Sequence, residues 1–65
     1  MRKDESIGVR VPSELKEALS QIAKKEGRSL AQLCEILLWG GVAAYRDEGH
    51  SLVQRLVDYQ RKKSD

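Results

Sequence analysis

A short strand pattern at residues 6 to 12 constrains this chain more than any other feature. Isoleucine and valines alternate there with Ser6, Gly8 and Arg10, and the run ends at Pro12, which is the period of two that a strand shows. The N–H and C=O groups of a lone strand need a second strand, and no other run in the sequence has this pattern. The sequence therefore predicts a ribbon of two strands, one from each of two copies.

The two faces of this strand differ in chemistry. Ile7, Val9 and Val11 form an apolar face, which we expect the following helices to bury. The polar face would then point outward from the ribbon. A two-stranded ribbon fits the major groove of duplex DNA.

The length of the chain also favours an assembly. A chain of 65 residues buries only about 60% of its unfolded surface, so its core is marginal unless disulfides, a metal or another subunit adds to it. Cys34 is the only cysteine and His50 the only histidine, which excludes an internal disulfide and argues against a structural zinc site. We therefore expect oligomerisation, with no cofactor and no metal.

Charge and hydropathy narrow the class of protein further. The net charge is +2, and the basic excess falls in residues 1–28, with seven basic and five acidic side chains. This excess is compatible with DNA binding and equally with an ordinary solvated surface. No run approaches the roughly 18 apolar residues that span a bilayer, and the N-terminus lacks the apolar core of a signal peptide. The sequence predicts a soluble, cytoplasmic protein with no membrane partner.

A helix over roughly residues 12–26 is predicted after the strand. Its apolar residues recur at i, i+3, i+4 and i+7, which is the helical period. Glu14 and Glu17 lie near the positive end of the helix dipole. Gly27 supplies the left-handed position that ends the helix.

A second helix is predicted from Ser29, which has the spacing of a capping box with Gln32. Its apolar residues occupy more than one side, so we expect it to pack against its own chain and a partner at once, as the centre of a dimer. The glycines at 40–41 leave two alternatives. Either the helix ends near Trp39, or the glycines let another backbone approach closely and the helix continues to about Asp47. The small residues that follow favour the longer helix.

A third helix of about three turns is predicted near the C-terminus. Ser51 and Gln54 repeat the capping-box spacing, and an amphipathic pattern follows them. His50 is expected in the preceding loop, and the basic tail is expected to fray.

The order of these elements resembles the ribbon-helix-helix family of DNA-binding proteins, the MetJ/Arc/CopG class. The residues that carry the resemblance, which covers residues 6 to about 47, are Ile7-Gly8-Val9-Arg10-Val11-Pro12-Ser13-Glu14-Leu15, Gly27-Arg28-Ser29-Leu30, and Leu33, Cys34 and Leu37. The resemblance implies a mainly α fold with one short β-strand, forming an intertwined homodimer with an intermolecular two-stranded antiparallel ribbon, plus a C-terminal amphipathic helix. The expected divisions are a flexible N-terminal arm at 1–5, the ribbon-helix-helix DNA-binding and dimerisation domain at 6–48, and the C-terminal helix and tail at 49–65.

The resemblance also implies which residues face the DNA bases. Ser6, Gly8 and Arg10 take the groove-facing positions of the ribbon. Arg10 can donate two parallel hydrogen bonds to O6 and N7 of guanine. Ser6 discriminates less, and Gly8 has no side chain with which to read a base.

Phosphate contacts are expected at the start of the second helix. Ser29 and Leu30 present backbone N–H groups that we expect to be unpaired, and together with the helix dipole they form an anion site. Arg28 flanks this site, and Arg2 and Lys3 would extend the contact as an arm. Such contacts set register and affinity without reading the sequence.

The predicted function is a transcriptional regulator, a repressor, that binds double-stranded DNA at a palindromic or repeated operator as a homodimer or a dimer of dimers. One alternative is an antitoxin that neutralises a toxin partner through residues 51–65. Another is an accessory protein of plasmid partition or conjugation. No enzyme is predicted, because Cys34 lies on an apolar helical face and the carboxylates are interleaved with lysines.

The apolar stripe of the third helix must be covered, because an isolated helix of about 12 residues is marginal in water. Its own dimer, a second dimer or a foreign protein could cover it. The sequence favours packing within the dimer, because the second helix offers apolar surface around Leu38 and Trp39.

Overall fold

The computed structural model describes residues 5–64 of the chain and the side chains of residues 5–62. Over that range the chain forms three α-helices, which are α1 (Ser13–Glu26), α2 (Leu30–Glu48) and α3 (His50–Ser64). α1 and α3 each pack against α2. The buried apolar side chains are Ala23, Leu33 and Leu52, one from each helix. The core is therefore small, and α2 is its central element.

Residues 5–12 contain no strand in this single chain, contrary to the predicted short β-strand. Ile7 and Val9 are 80% and 70% exposed, so the helices of the same chain do not bury the apolar face. The physical reason is that a strand needs a partner ladder, and the sequence supplies no second strand pattern. The ribbon between two chains stays a prediction.

α1 begins and ends close to the predicted bounds. Pro12 is extended, with φ −61° and ψ 150°, and its carbonyl accepts two N–H groups of the first turn at 3.1 Å. Gly27 has a φ of 70°, and its N–H donates to the Lys24 carbonyl at 3.2 Å. The Arg28 N–H donates to the Ala23 carbonyl at 2.9 Å. These two bonds form a Schellman motif, which ends the helix and turns the chain toward α2.

The predicted capping box at the start of α2 is confirmed. The Ser29 hydroxyl oxygen accepts the Gln32 N–H at 3.1 Å, and the Gln32 side-chain oxygen accepts the Ser29 N–H at 3.0 Å. The Ser29 carbonyl also accepts the Leu33 N–H at 3.0 Å. The cap thus fixes the residue at which α2 begins.

Ser29→Ala should lower the free energy of unfolding by about 1 kcal/mol, because the Gln32 N–H loses its acceptor. Urea denaturation measured at one protein concentration checks this. Ser20→Ala, at an exposed position within α1, is the matched control and should be neutral or slightly stabilising. Equal losses in the two variants would contradict the role of the cap.

α2 continues through the glycines at 40–41 to Glu48, which confirms the longer of the two predicted helices. A Cβ atom added at either glycine would meet nothing within 4 Å. Packing in the described part of the chain therefore does not require glycine there, although each costs about 0.8–1 kcal/mol relative to alanine. The expectation that these glycines let another backbone approach stays a prediction about a partner chain.

α3 begins before the predicted capping box. Gly49, with a φ of 72°, is the single residue between α2 and α3, so that His50 is the first residue of α3 and not a loop residue. The Ser51 hydroxyl donates to the Glu48 carbonyl at 3.0 Å, and the Gln54 side-chain amide donates to a carboxylate one turn later. The predicted box between Ser51 and Gln54 is therefore wrong. Gly49 already turns the chain, and the Ser51 hydroxyl donates to a carbonyl in the last turn of α2.

Candidate nucleic-acid interface

The predicted base-facing residues lie in the segment that precedes α1. Ser6, Gly8 and Arg10 are all exposed, and a Cβ atom at Gly8 would meet nothing within 4 Å. The apolar residues between them are exposed as well, so this segment has no covered side in the single chain. The three positions are accessible, and a second strand would be needed to orient them together.

Three of the predicted phosphate-contacting residues lie side by side in the turn between α1 and α2. Arg28 is held by the bond from its N–H to the last turn of α1, and its side chain is exposed. Ser29 is the N-cap of α2 and Leu30 its first residue. The Schellman motif and the capping box thus bring a guanidinium, a hydroxyl and a helix N-terminus to one turn.

The expectation that the Ser29 N–H is unpaired is wrong, because it donates to the Gln32 side-chain oxygen at 3.0 Å. The capping box uses this donor. What Ser29 can offer an anion is its hydroxyl hydrogen, since that hydroxyl serves only as an acceptor toward Gln32 and a hydroxyl group has one donor of its own. The N–H of Leu30 belongs to the first turn of α2, where N–H groups have no partner within the helix.

Two further cations lie beside this turn and were not among the predicted phosphate-contacting residues. Lys24 and Lys25 form the last turn of α1 and are exposed, within four residues of Arg28. The only prediction for this turn was that it ends α1. The signal was the short run Lys24-Lys25-Glu26-Gly27-Arg28, which holds three basic side chains against one acidic one. Together with the dipole of α2, these cations give the turn a positive potential.

The predicted arm residues Arg2 and Lys3 lie outside the described residues. Glu5, the first described residue, is exposed.

The rest of the described chain was compared with the patterns of a metal site, a reactive cysteine and a membrane-spanning helix. Among residues 5–64, no group of His, Cys, Asp or Glu is arranged to hold a metal ion, and Cys34 is half-buried on α2. None of the helices in this range has the length and apolar content needed to cross a bilayer.

Comparison with known proteins links this geometry to one family. The family model described as "CopG-like RHH_1 or ribbon-helix-helix domain, RHH_5" matches residues 7–46, which is more than half of the chain. A search of curated proteins and a search of solved structures gave no significant match. The matched range includes Gly8, Arg10 and the turn at 28–30, begins one residue after Ser6, and excludes α3.

Proposed function

The chain belongs to the CopG-like ribbon-helix-helix family, and from this we propose that it is a sequence-specific, double-stranded DNA-binding transcriptional repressor that acts as a homodimer. Proteins of this family bind DNA as regulators and usually dimerise. The observation that carries the proposal is the exposed alternating segment at residues 5–12, which directly precedes a Pro12-led helix inside the matched range. Repression would follow from occupancy of the operator.

The dimer forms by pairing residues 6–11 of two chains as antiparallel strands. Ile7, Val9 and Val11 of both strands then pack against the helices, and this burial removes the exposed apolar surface of the single chain. Burying one such side chain contributes about 1.5–3 kcal/mol. The ribbon is therefore stable only when two copies meet.

Base readout follows from the opposite face of the ribbon. Because side chains alternate along a strand, Ser6, Gly8 and Arg10 point together toward the major groove. Arg10 binds O6 and N7 of guanine, Ser6 makes a less selective contact, and Gly8 lets the backbone approach the bases closely. Discrimination between sequences is therefore concentrated in Arg10.

Phosphate binding occurs at the N-terminus of α2. The Leu30 N–H and the Ser29 hydroxyl donate to a phosphate oxygen, the helix dipole favours the negative charge, and the Arg28 guanidinium neutralises it. Arg2 and Lys3, in the arm at 1–5, add contacts of the same kind with the phosphates of the DNA backbone. The domain at 6–48 thus binds DNA and dimerises.

Selection from a pool of random duplexes tests the proposal. We expect the retained sequences to share a palindromic or repeated half-site, bound at least about 10³-fold more tightly than a scrambled duplex at physiological salt. A reporter with the selected site across its promoter should be repressed. Equal affinity for selected and scrambled duplexes would contradict sequence-specific binding, and unchanged reporter expression would contradict repression.

A further inference from the structure

The last turn of α1 carries two lysines whose charges have no partner in the described chain. Lys24 and Lys25 are both exposed. Neither is paired with a carboxylate of the described residues, whereas Arg55 of α3 lies 3.0 Å from Glu48. The residues three and four positions before the lysines, at 20–22, are not acidic, so the helix offers no charge pair at that spacing. The two ammonium groups are therefore available to an anion from outside the chain.

The directions of these lysines follow from the buried residue before them. Ala23 is buried, so it marks the side of α1 that faces the core. Successive residues of an α-helix are turned by about 100°, which places Lys24 about 100° and Lys25 about 200° from that side. Glu26, the one acidic residue of this turn, lies about 200° from Lys24. Both lysines thus point away from the core, and the carboxylate lies on the opposite side of α1 from Lys24.

The phosphate site at residues 28–30 is joined to this turn by the backbone. The Arg28 N–H donates to the Ala23 carbonyl at 2.9 Å, and the Gly27 N–H donates to the Lys24 carbonyl at 3.2 Å. These bonds fix the last turn of α1 against the residues that lead into α2. The lysines therefore start from a fixed position beside the phosphate site.

We propose that Lys24 and Lys25 bind the DNA phosphates next to the one held at the N-terminus of α2. This inference rests on the DNA binding of the proposed function. Successive phosphates of one strand are about 3.4 Å apart along the duplex axis, so a phosphate held at residues 28–30 brings its neighbours close to the same turn. A lysine is a point charge with three donors on a flexible stem, and it can meet a phosphate without a fixed geometry. Each protomer then contacts a short run of phosphates.

Cations in the last turn of a helix also have a role within the chain. They interact favourably with the negative end of the helix dipole and so stabilise the helix. If this were the whole role of the lysines, their removal would lower the Tm and leave the salt dependence of DNA binding unchanged. The two readouts therefore separate DNA binding from a purely structural role.

The salt dependence of DNA binding tests the proposal. The double variant Lys24→Gln/Lys25→Gln removes both charges and keeps side chains that favour a helix. We expect the slope of log K against log salt to become shallower by about two per chain. The change should be the same for the selected and the scrambled duplex, because phosphate contacts carry no sequence information. Fluorescence anisotropy over a series of salt concentrations measures both slopes.

Arg46→Gln is the matched control. Arg46 is an exposed cation in the last turn of α2, so it has the same relation to a helix dipole as the two lysines. It lies about 24 Å along α2 from Leu30, which is well beyond the Debye length of about 8 Å at physiological salt. Its removal should leave the slope unchanged. The variant Lys24→Arg/Lys25→Arg keeps both charges and should also keep the wild-type slope.

Each outcome decides the inference. A wild-type slope in the double variant, with or without a lower Tm, would overturn it and leave the proposed function standing. An equal change per charge in Arg46→Gln would overturn it by showing a general effect of net charge. Failure of the wild-type protein to bind duplex DNA would overturn both this inference and the proposed function. Should the double variant fold poorly, Lys24→Gln and Lys25→Gln are measured singly, each with an expected change of about one per chain.

Discussion

Arg10→Ala should lower the affinity for the selected duplex by about 30-fold to 10⁴-fold and leave the affinity for a scrambled duplex nearly unchanged. One arginine bound to guanine through two hydrogen bonds discriminates by about 1–3 kcal/mol, and a dimer presents two such side chains. Arg10 is exposed, so the substitution removes no packing in the single chain. Fluorescence anisotropy with both duplexes at the same salt concentration measures the ratio.

Arg28→Ala is the matched control, because it removes the same charge from another exposed position. It should weaken binding to both duplexes by the same factor and reduce the slope of log K against log salt by about one per chain. If both variants lower the affinities for the selected and the scrambled duplex by the same factor, the assignment of base reading to Arg10 and phosphate binding to Arg28 is wrong.

The helices could be predicted from sequence because their signals are local. Pro12, Gly27 and the pair Ser29 and Gln32 each act within one turn of the chain, and the structure shows the conformations and hydrogen bonds that their chemistry favours. Ser51 has the same spacing to a glutamine as Ser29 but forms no box. There Gly49, which has a positive φ, lets α3 begin at His50, two residues before the start that such a box would give, and the Glu48 carbonyl accepts a hydrogen bond from the Ser51 hydroxyl.

Two features of the candidate site could not be predicted from sequence. One depends on which of two acceptors a single N–H group uses, and the other depends on a second chain. The pattern at Ser29 predicted both a capping box and an anion site, but spacing alone does not say which of them uses the Ser29 N–H. The alternation at residues 6–12 predicts a strand, yet a single chain cannot supply the ladder that defines one. The breadth of apolar residues on α2 indicated a partner, and the structure shows that Leu38 and Trp39 are exposed in the single chain.

Folding and dimerisation should occur as one concentration-dependent transition. The described chain buries Ala23, Leu33 and Leu52 as its apolar core, which is too little to offset the conformational entropy of a chain of this length. For a dimer of two such chains, each tenfold rise in protein concentration should raise the Tm by about 5 °C. Thermal unfolding followed by circular dichroism at several concentrations measures this slope.

Val9→Asp tests more directly whether residues 6–11 pair as a ribbon, because a paired and an unpaired segment predict different effects on stability. Val9 is 70% exposed in the single chain, where an aspartate would be nearly neutral. On the inner face of a ribbon, the two copies would together lose about 3–6 kcal/mol of burial and also bury charge. We therefore expect Val9→Asp to be unfolded at micromolar concentration, whereas Ser6→Asp, on the outward face, should keep the wild-type Tm. A folded monomer with a constant Tm that tolerates both substitutions would leave residues 6–12 without a partner strand and remove the physical basis for a DNA-reading ribbon.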